Sequence, residues 1–567
     1  MREASRDGFP EIEGLLEVLE NCESEQCLAA LLEVLENLKE TILSPEKFEV
    51  REEIYHKRHI AVDIPSVYGR YRERKFDSLS LTFRLENLAG IYLEKLPEQI
   101  NLTFITRATF YRVVRALRLF IRALRIDGII SRSLETYVSL LSSSLQIKRF
   151  SYTQYLDIFR GLSEGVKDII YSHYTNIHQN NLSILIPQIG AMNLLTRYRS
   201  LWNDEEPADT VHRLSEAFFR DLIASTFGLQ HLDNFIIRII NTLERQRDVL
   251  DEQMLDLLMT YNPENAISSL TRLNPHTRDL IHLGNKGYNL VMLSNEQIQV
   301  PPAFVITTEV FRCREVIYSF ARAHEEFMQH LRTALNEIEQ ITGRIFGSSD
   351  RPLLVSVRSG AAISMPGMMA TIHNVGLNEE IIEESIRAEG NAYLAWDNYR
   401  RFLQSWAMVS GMRREDFQGL MNQAKERHGV TLKQQFTPEQ MRDLALEYQR
   451  LIRRQGLEIP DDPWLQLVWA MEKVFESWET AKASDYRKIM DLSDAWGTAV
   501  IVQAMVFGNR NNRSGSGVVF TSHPYRKVQR VALWGDYAYG DQGEDIVSGL
   551  VTSYPVSVEQ AELDGRE

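Results

Sequence analysis

Apolar residues recur three or four positions apart through most of the first 270 residues, the spacing of amphipathic helices. LLEVLEN at 15–21 returns at 31–37, and ATFYRVVRALRLFIRALR over 108–125 keeps the same period. Residues 1–272 are therefore predicted to form an all-α domain. Two copies of a seven-residue string are too little for a repeat architecture and read as two helices of similar composition. Near Asn274–Pro275 the pattern changes. Gly and Pro then punctuate short β-rich runs: FVIT at 304–307 behind Pro301–Pro302, LLVSVRS at 353–359 and MATIHNVGL at 369–377. Helical periodicity returns between roughly 378 and 490, clearest in AYLAWDNYRRFLQSWAMV and WLQLVWAMEKVFESW, and reads as a helical insertion. After Asp494, TAVIVQAMVF, SGSGVVFTS and QRVALWG alternate with the turn-forming GNRNNR and HPYRK, which predicts consecutive antiparallel hairpins. The expected fold class is α+β, with an all-α domain at 1–272 and a mixed α/β domain at 273–567 whose insertion spans 378–490.

Composition narrows the function classes. At roughly 100–200 residues per domain, 567 residues predict about three or four units and exclude a one-domain binding module. With 44% hydrophobic and 25% charged residues the chain is expected to fold in water, and no run approaches the ~18 apolar residues of a membrane span. No membrane partner is expected, and the opening MREASRDGFPEIEG lacks the apolar core of a signal peptide. A net charge of −14 gives no general attraction to nucleic acid or anionic lipid, so any anion site must be built locally. Three cysteines, Cys22, Cys27 and Cys313, supply neither a disulfide framework nor a C-x-x-C pair, and a reducing cytoplasm fits them best.

Four segments carry candidate chemistry. In His282–Leu290, glycines flank Lys286, so backbone amides could approach an anion closely while the ammonium supplies charge; a plain loop-to-helix junction explains the segment as well, and the Walker pattern is not met. In Val355–Thr371, two strand-like runs flank a tip holding Gly360, Pro366 and Gly367, and Arg358 closing the first run could fork onto phosphate oxygens. An exposed hairpin with a surface arginine accounts less well for the adjacent Met368 and Met369, which would be apolar surface unless they covered a flat ligand or packed on another domain. Gln503–Gly508 could line a base with its side chains and read it with backbone groups along its edge, although a core strand suffices to explain it. Gly540–Gly549 combines three glycines with three carboxylates, as a phosphate or magnesium neighbourhood or an acidic surface turn would.

GNKGYNL, SVRSGAAISMPGMMATIHNVGLN, WDNYRRFLQSW, DAWGTAVIVQAMVFGNR, SGSGVVFTSHP and GDQGEDIVSGLVTSYPVS stand in an order that closely resembles the N-terminal nucleotide-binding domain of pyruvate phosphate dikinases, over about residues 275–560. The resemblance implies an ATP-grasp-like fold, ATP and Mg2+ as cofactors, and phosphorylation of a carrier histidine that serves pyruvate and phosphoenolpyruvate interconversion. Carried over, Lys286 and Arg358 bind and neutralise ATP phosphates as the catalytic cations. Gly284, Gly287, Met365, Gly367, Met368, Met369 and Thr371 cradle or cover the nucleotide, Gln503, Met505 and Val506 lie along adenine, and Gln542 and Glu544 stand near the phosphate end; no metal ligands are assigned. The family's acidic strand, its Gln-Thr-Arg strand, and the phosphohistidine and pyruvate/phosphoenolpyruvate domains do not occur before Glu567, so those domains are expected partners and the chain by itself is expected to be inactive. Thr521-Ser522-His523 superficially matches the phosphohistidine motif, but its place after GVVF makes His523 a turn residue. The alternatives are a nucleotide-sensing or partner-docking module, or a related dikinase with another acceptor.

The helical half has no such guide. Arg112, Arg115, Arg118, Arg122 and Arg125 form a stripe that reads as a solvated or salt-bridged face, or as a docking face with homo-oligomer formation in view. A basic string at 56–75 mixes His, Arg and Tyr, but in an acidic chain nucleic acid is not the expected partner.

Overall fold

The computed structural model describes residues 11–47, 51–58, 65–72, 74–147, 150–203, 206–270, 274–511, 513–520, 523, 533–547, 549 and 551–565. The chain divides into two compact units, Met1–Tyr261 and Asn262–Glu567, fewer than the three or four that length alone suggested.

The first unit is built from α1 (Glu11–Asn21), α2 (Ser24–Leu43), α3 (Arg74–Lys95), α4 (Arg107–Ile126), α5 (Arg132–Ser144), α6 (Tyr152–Ile170), α7 (Asn176–Ile189), α8 (Pro207–Ser225), α9 (Leu229–Val249) and α10 (Glu252–Thr260). It is not purely helical: β1 (Arg51–Arg58) and β2 (Pro65–Arg72) pair antiparallel, with Tyr55 opposite Tyr68. The basic string 56–75 falls on this hairpin, and residues 59–64 and 73 lie outside the described residues. Helix starts follow local chemistry. Thr106 and Thr109 form a reciprocal capping box at α4, and Ser151 and Gln154 do the same at α6. The core buries one stripe of each helix; Phe110 stacks on Phe159 at 5.4 Å and Phe120 meets Phe235 at 6.1 Å. Buried Gln246 of α9 accepts from Ile105 N at 2.7 Å and donates to Ile105 O at 3.0 Å, which satisfies a backbone stretch that no helix covers. The arginine stripe of α4 is largely ion-paired: Arg115 with Glu25 at 3.2 Å, Arg122 with Glu36 at 2.9 Å, and Arg125 with Glu135 at 2.7 Å.

The second unit holds two antiparallel sheets. Its larger sheet runs β3 (Ile267–Ser269), β4 (Ala303–Ile306), β9 (Ala499–Ala504), β7 (Val355–Gly360), β8 (Thr371–Val375). Every residue of β4 and β9 is buried, as their largely apolar runs require, and the one polar member, Gln503, is bonded to a backbone carbonyl. Helices α11 (Leu280–Asn295), α12 (Thr308–Ser319) and α13 (Ala321–Thr342) lie in the first part of the unit, and the short β5 (Ile345–Phe346) and β6 (Pro352–Leu353) pair parallel beside them. Between β8 and β9 come α14 (Glu379–Glu389), α15 (Ala392–Val409), α16 (Arg414–His428), α17 (Pro438–Arg454), α18 (Pro463–Glu476) and α19 (Ala481–Ile489). The smaller sheet orders β10 (Gly515–Phe520), β11 (Trp534–Tyr539) and β12 (Tyr554–Pro555), with α20 (Gly543–Val547) between the last two strands and α21 (Val558–Asp564) after them.

The strands after Asp494 do not form the expected run of consecutive hairpins. TAVIVQAMVF does not pair with the strands that follow it; it becomes the central strand of the larger sheet, between β4 and β7, because only there are both faces and both edges covered. The described part of QRVALWG contributes β11 from Trp534 onward, while 524–532 and most of HPYRK lie outside the described residues.

Candidate functional site

The predicted glycine-flanked loop is a break inside a helix. Asp279 caps α11, its Oδ1 accepting from Ile281 N at 2.8 Å and His282 N at 2.9 Å, and after one turn Gly284 leaves the helix at φ +66, ψ 170. A side chain is excluded there twice over: φ is left-handed, and a Cβ would stand 1.7 Å from Gly360 O. Asn285 N donates to Ala361 O at 2.8 Å, which pins the next helical stretch to the end of β7. Lys286 thus opens the helical stretch after the break, and Leu283 before the break and Val291 after it both pack with Val305 and Ile501 of the sheet.

Arg358 is placed by the sheet, opposite Ile501 on β9 and Thr371 on β8. Strand alternation puts Thr371 and His373 on one face with it. The loop between β7 and β8 is anchored rather than loose: Met365 is buried with Trp478 and Ala483, Met368 and Met369 pack on that cluster, Ala370 N donates to Ser477 Oγ at 3.1 Å, and Lys482 Nζ donates to Gly367 O at 3.0 Å.

These elements enclose a cavity of about 810 Å³, with the larger sheet on one side and Ser516 and Val518 of β10 with the 542–547 segment on the other. The volume lies within the usual range for small-molecule sites. Of the residues predicted from sequence, Lys286, Arg358, Met365, Gly367, Met369, Thr371, Gln503, Met505, Val506, Gln542 and Glu544 line it. Gly284, Gly287 and Met368 do not: Gly284 permits the approach to Gly360, a Cβ on Gly287 would stand 3.1 Å from Val305, and Met368 belongs to the cluster around Trp478. The Gln503 strand offers no free edge, since Ala504 N donates to Pro302 O and Met505 N to Leu354 O, both at 2.9 Å. Gln503 itself donates to Pro301 O at 3.2 Å.

Two cations face this cavity without carboxylate partners among the described residues. Enclosure by protein lowers the Lys286 ammonium below its ordinary value, and the charge of Arg358 lowers it further. Burial likewise lowers the Arg358 guanidinium, only partly opposed by Glu544, and Arg358 Nε is buried with no hydrogen-bond acceptor among the described residues. Glu544 is engaged elsewhere, 3.0 Å from His373 Nε2. Burial would raise the Glu544 carboxyl, but the hydrogen bond and charge of His373 and the charge of Arg401 outweigh it and hold it below its ordinary value.

Sequence reasoning did not single out Asn285, His373, Asn374 and Arg401, all of which line the cavity. Arg401 is the most consequential. Its guanidinium donates to Asp397 Oδ2 at 3.0 Å and forks onto Asp545. The signal was present as D-x-x-R-R inside the apolar helix α15, charges at i, i+3 and i+4 where a core face was expected. The acidic segment 540–549 is no surface turn, because Asp541, Gln542 and Asp545 are buried; Ser548 lies outside the described residues. His523 is buried with its ring 4.4 Å from that of Trp534, and Thr521 and Ser522 lie outside the described residues.

Two sheets with a cationic cavity between them define a class, a unit built to hold an anionic small molecule. The particular likeness comes from comparison with known proteins: residues 313–565 match the family described as pyruvate phosphate dikinase, AMP/ATP-binding domain. The chain is 38% identical over 278 residues to pyruvate, phosphate dikinase of Clostridium symbiosum, an alignment covering 48% of this chain and 31% of that protein. It is 39% identical over 276 residues to the Rhizobium meliloti (strain 1021) enzyme, covering 48% and 30%, and 37% identical over 272 residues to the chloroplastic pyruvate, phosphate dikinase 1 of Arabidopsis thaliana, covering 48% and 28%. The resemblance read from the motifs is thus shown for the second unit, and the chain spans less than a third of the length of the relatives it matches. No described helix is long and apolar enough to cross a membrane.

Proposed function

We propose that the second unit binds ATP in the cavity between its sheets, in an ATP-grasp-like arrangement, and serves a dikinase-like phosphotransferase. The observation that carries this reading is the pair Lys286 and Arg358: two like charges set on one cavity, both held in a state that enclosure disfavours, one with a buried donor left without an acceptor. Such a pair is costly until an anion of several charges arrives, and a polyphosphate supplies both the charge and the acceptor oxygens. Met505 and Val506, at the end of the apolar strand, offer the flat apolar wall that a purine needs.

A magnesium ion fits this site as a companion of the phosphates. Glu544 is the carboxylate lining the cavity among the described residues, and Mg2+ is ordinarily held by one or two carboxylates plus phosphate oxygens and water. When bound, the ion would neutralise phosphate charge; Lys286, Arg358 and Arg401 do the rest by orientation and by stabilising the charge that moves onto the phosphate oxygens.

By the likeness to dikinases, the phosphoryl group passes to a histidine on a domain outside this chain: a nitrogen–phosphorus bond forms, the phosphorus–oxygen bond breaks, and the electron pair leaves on the nucleotide. Pyruvate and phosphoenolpyruvate are the substrates this reading assigns. Calorimetric titration of the full chain with Mg·ATP tests it, followed by transfer of label from ATP to a dikinase phosphohistidine domain added in trans. Binding and transfer that are lost in Lys286→Ala and Arg358→Ala support the assignment. Binding that survives both substitutions overturns it, and binding without transfer points to a nucleotide-sensing module instead.

A further inference from the structure

Lys433 lies in the short turn between α16 and α17, on the helical insertion, where a lysine in a polar run reads as a solvent-facing charge. Its side chain is only 13% exposed, and three carboxylates converge on its Nζ: Asp541 Oδ1 at 3.0 Å, Asp545 Oδ2 at 3.3 Å and Asp397 Oδ2 at 3.7 Å. The neighbouring Gln434 donates to Tyr539 O at 2.8 Å and to Asp541 Oδ2 at 2.7 Å, so two successive residues of one turn grip both the start and the middle of the 539–545 segment.

The charges in this cage balance. Asp397, whose side chain has no exposure, also accepts from Arg400 at 2.7 Å and Arg401 at 3.0 Å, and Arg401 forks onto Asp545. Three carboxylates therefore meet three cations, two of them from α15 and the third from Lys433. Arg401 pushes the other way from Lys286 and Arg358: with two carboxylates beside it, its guanidinium is held firmly charged. The cage does not itself line the cavity except through Arg401, but the segment it grips supplies Gln542, Gly543 and Glu544 to the cavity wall. Without the Lys433 ammonium, the buried carboxylates exceed the cations by one, and the most economical relief is for 539–545 to move toward water.

We propose that Lys433 is a tethered cation that holds Asp397, Asp541 and Asp545 in one place and thereby sets Arg401 and the Gln542–Glu544 wall against the phosphate end of the bound nucleotide. It is a positioning residue, acting through the segment it grips. The nucleotide part of this inference rests on the ATP reading given above, whereas the grip on 539–545 does not.

The test uses the full chain with Lys433→Met, which keeps the stem and removes the charge, and Lys433→Arg, which keeps the charge. Without nucleotide, amide hydrogen exchange in peptides covering 534–547 should accelerate about tenfold or more in Lys433→Met, while β9 keeps its protection. ATP binding should weaken about tenfold with adenosine binding nearly unchanged, the scale seen when a supporting residue behind a ligand-binding group is lost. Lys433→Arg should restore most of both. Unchanged exchange in Lys433→Met, equal losses for ATP and adenosine, or an unfolded Lys433→Met chain would each overturn the positioning role. If the wild-type chain binds neither ATP nor adenosine, the nucleotide reading fails, and the exchange measurement alone decides whether Lys433 holds the segment.

Discussion

Replacing Arg358 with Met should move binding and stability in opposite directions. In the nucleotide-bound state the guanidinium supplies charged hydrogen bonds, each worth about 1.5–3 kcal/mol, so Arg358→Met should weaken ATP binding by about 10- to 150-fold. In the nucleotide-free state the same guanidinium has a buried Nε without an acceptor among the described residues, and burial holds its pKa below the ordinary value. An unsatisfied buried donor costs about 1–3 kcal/mol, which the apolar Met side chain does not incur. The substituted chain should therefore be at least as stable as the parent, with a melting temperature unchanged or raised by roughly 2 °C. Calorimetric titration with Mg·ATP gives the first quantity and scanning calorimetry without nucleotide the second. ATP affinity unchanged by the substitution would show that Arg358 does not meet the phosphates. A melting temperature lowered by more than about 5 °C would show that the guanidinium stabilises the empty protein, against the reasoning from its unpaired donor.

Further outcomes follow from other parts of the structure. Burial would raise the Asp545 carboxyl, but the charge and hydrogen bonds of Arg401, with Lys433 beside it, hold it at about 2, and Asp397 is lowered in the same way. A carboxyl depressed on folding stabilises the protein above its unfolded value of about 4 and loses that contribution as pH falls toward 2. Tryptophan fluorescence reports mainly on the second unit, which holds all the tryptophans except Trp202, so acid unfolding followed this way should steepen between about pH 4 and 2, and Asp545→Asn should flatten it. Gly284→Ala should cost on the order of 3 kcal/mol in urea unfolding, since its Cβ would stand 1.7 Å from Gly360 O in a left-handed backbone. In the first unit, Arg122→Ala should cost under about 1 kcal/mol despite its 2.9 Å contact with Glu36, because both side chains are a third or more exposed. Gln246→Ala should cost about 2–3 kcal/mol, because it strands both backbone groups of Ile105; chemical denaturation compares the two directly.

Element type was legible wherever a local period sufficed. The 3.6-residue spacing of 108–125 and 392–409 became α4 and α15, and the β-rich runs around Gly360 and Pro366 became the β7–β8 hairpin with Arg358 beside the cavity. The S-M-P-G-M-M string and its companions pointed to the nucleotide-binding domain that the comparison with dikinases then showed. Gly284 was legible as a glycine beside Lys286 that could let bare backbone approach an anion, whereas its close approach to the backbone of Gly360 was not. No local pattern names a partner that far along the chain.

A few consecutive residues are enough to enforce helical stripes, apolar strands, caps at Thr106 and Ser151, and a glycine-and-proline tip between two strands. Tertiary structure alone decided which strand is central, since β9 presents the same apolar face to any sheet and only the places of β4 and β7 give it two partners. It also decided the fate of the charges. Asp545 meets Arg401 across 144 residues, and Lys433 reaches Asp541 and Asp545 from a different subdomain, so residues that look solvated in sequence become a buried, neutral cage. Lys286 and Arg358 stand out in sequence by their glycine-flanked and strand-end places, but only the fold leaves them facing the cavity without carboxylate partners among the described residues. The physical reason is that hydrophobic period is a property of neighbouring residues, whereas the state of a charge depends on which distant groups the fold brings within a few ångströms of it in a medium that screens poorly.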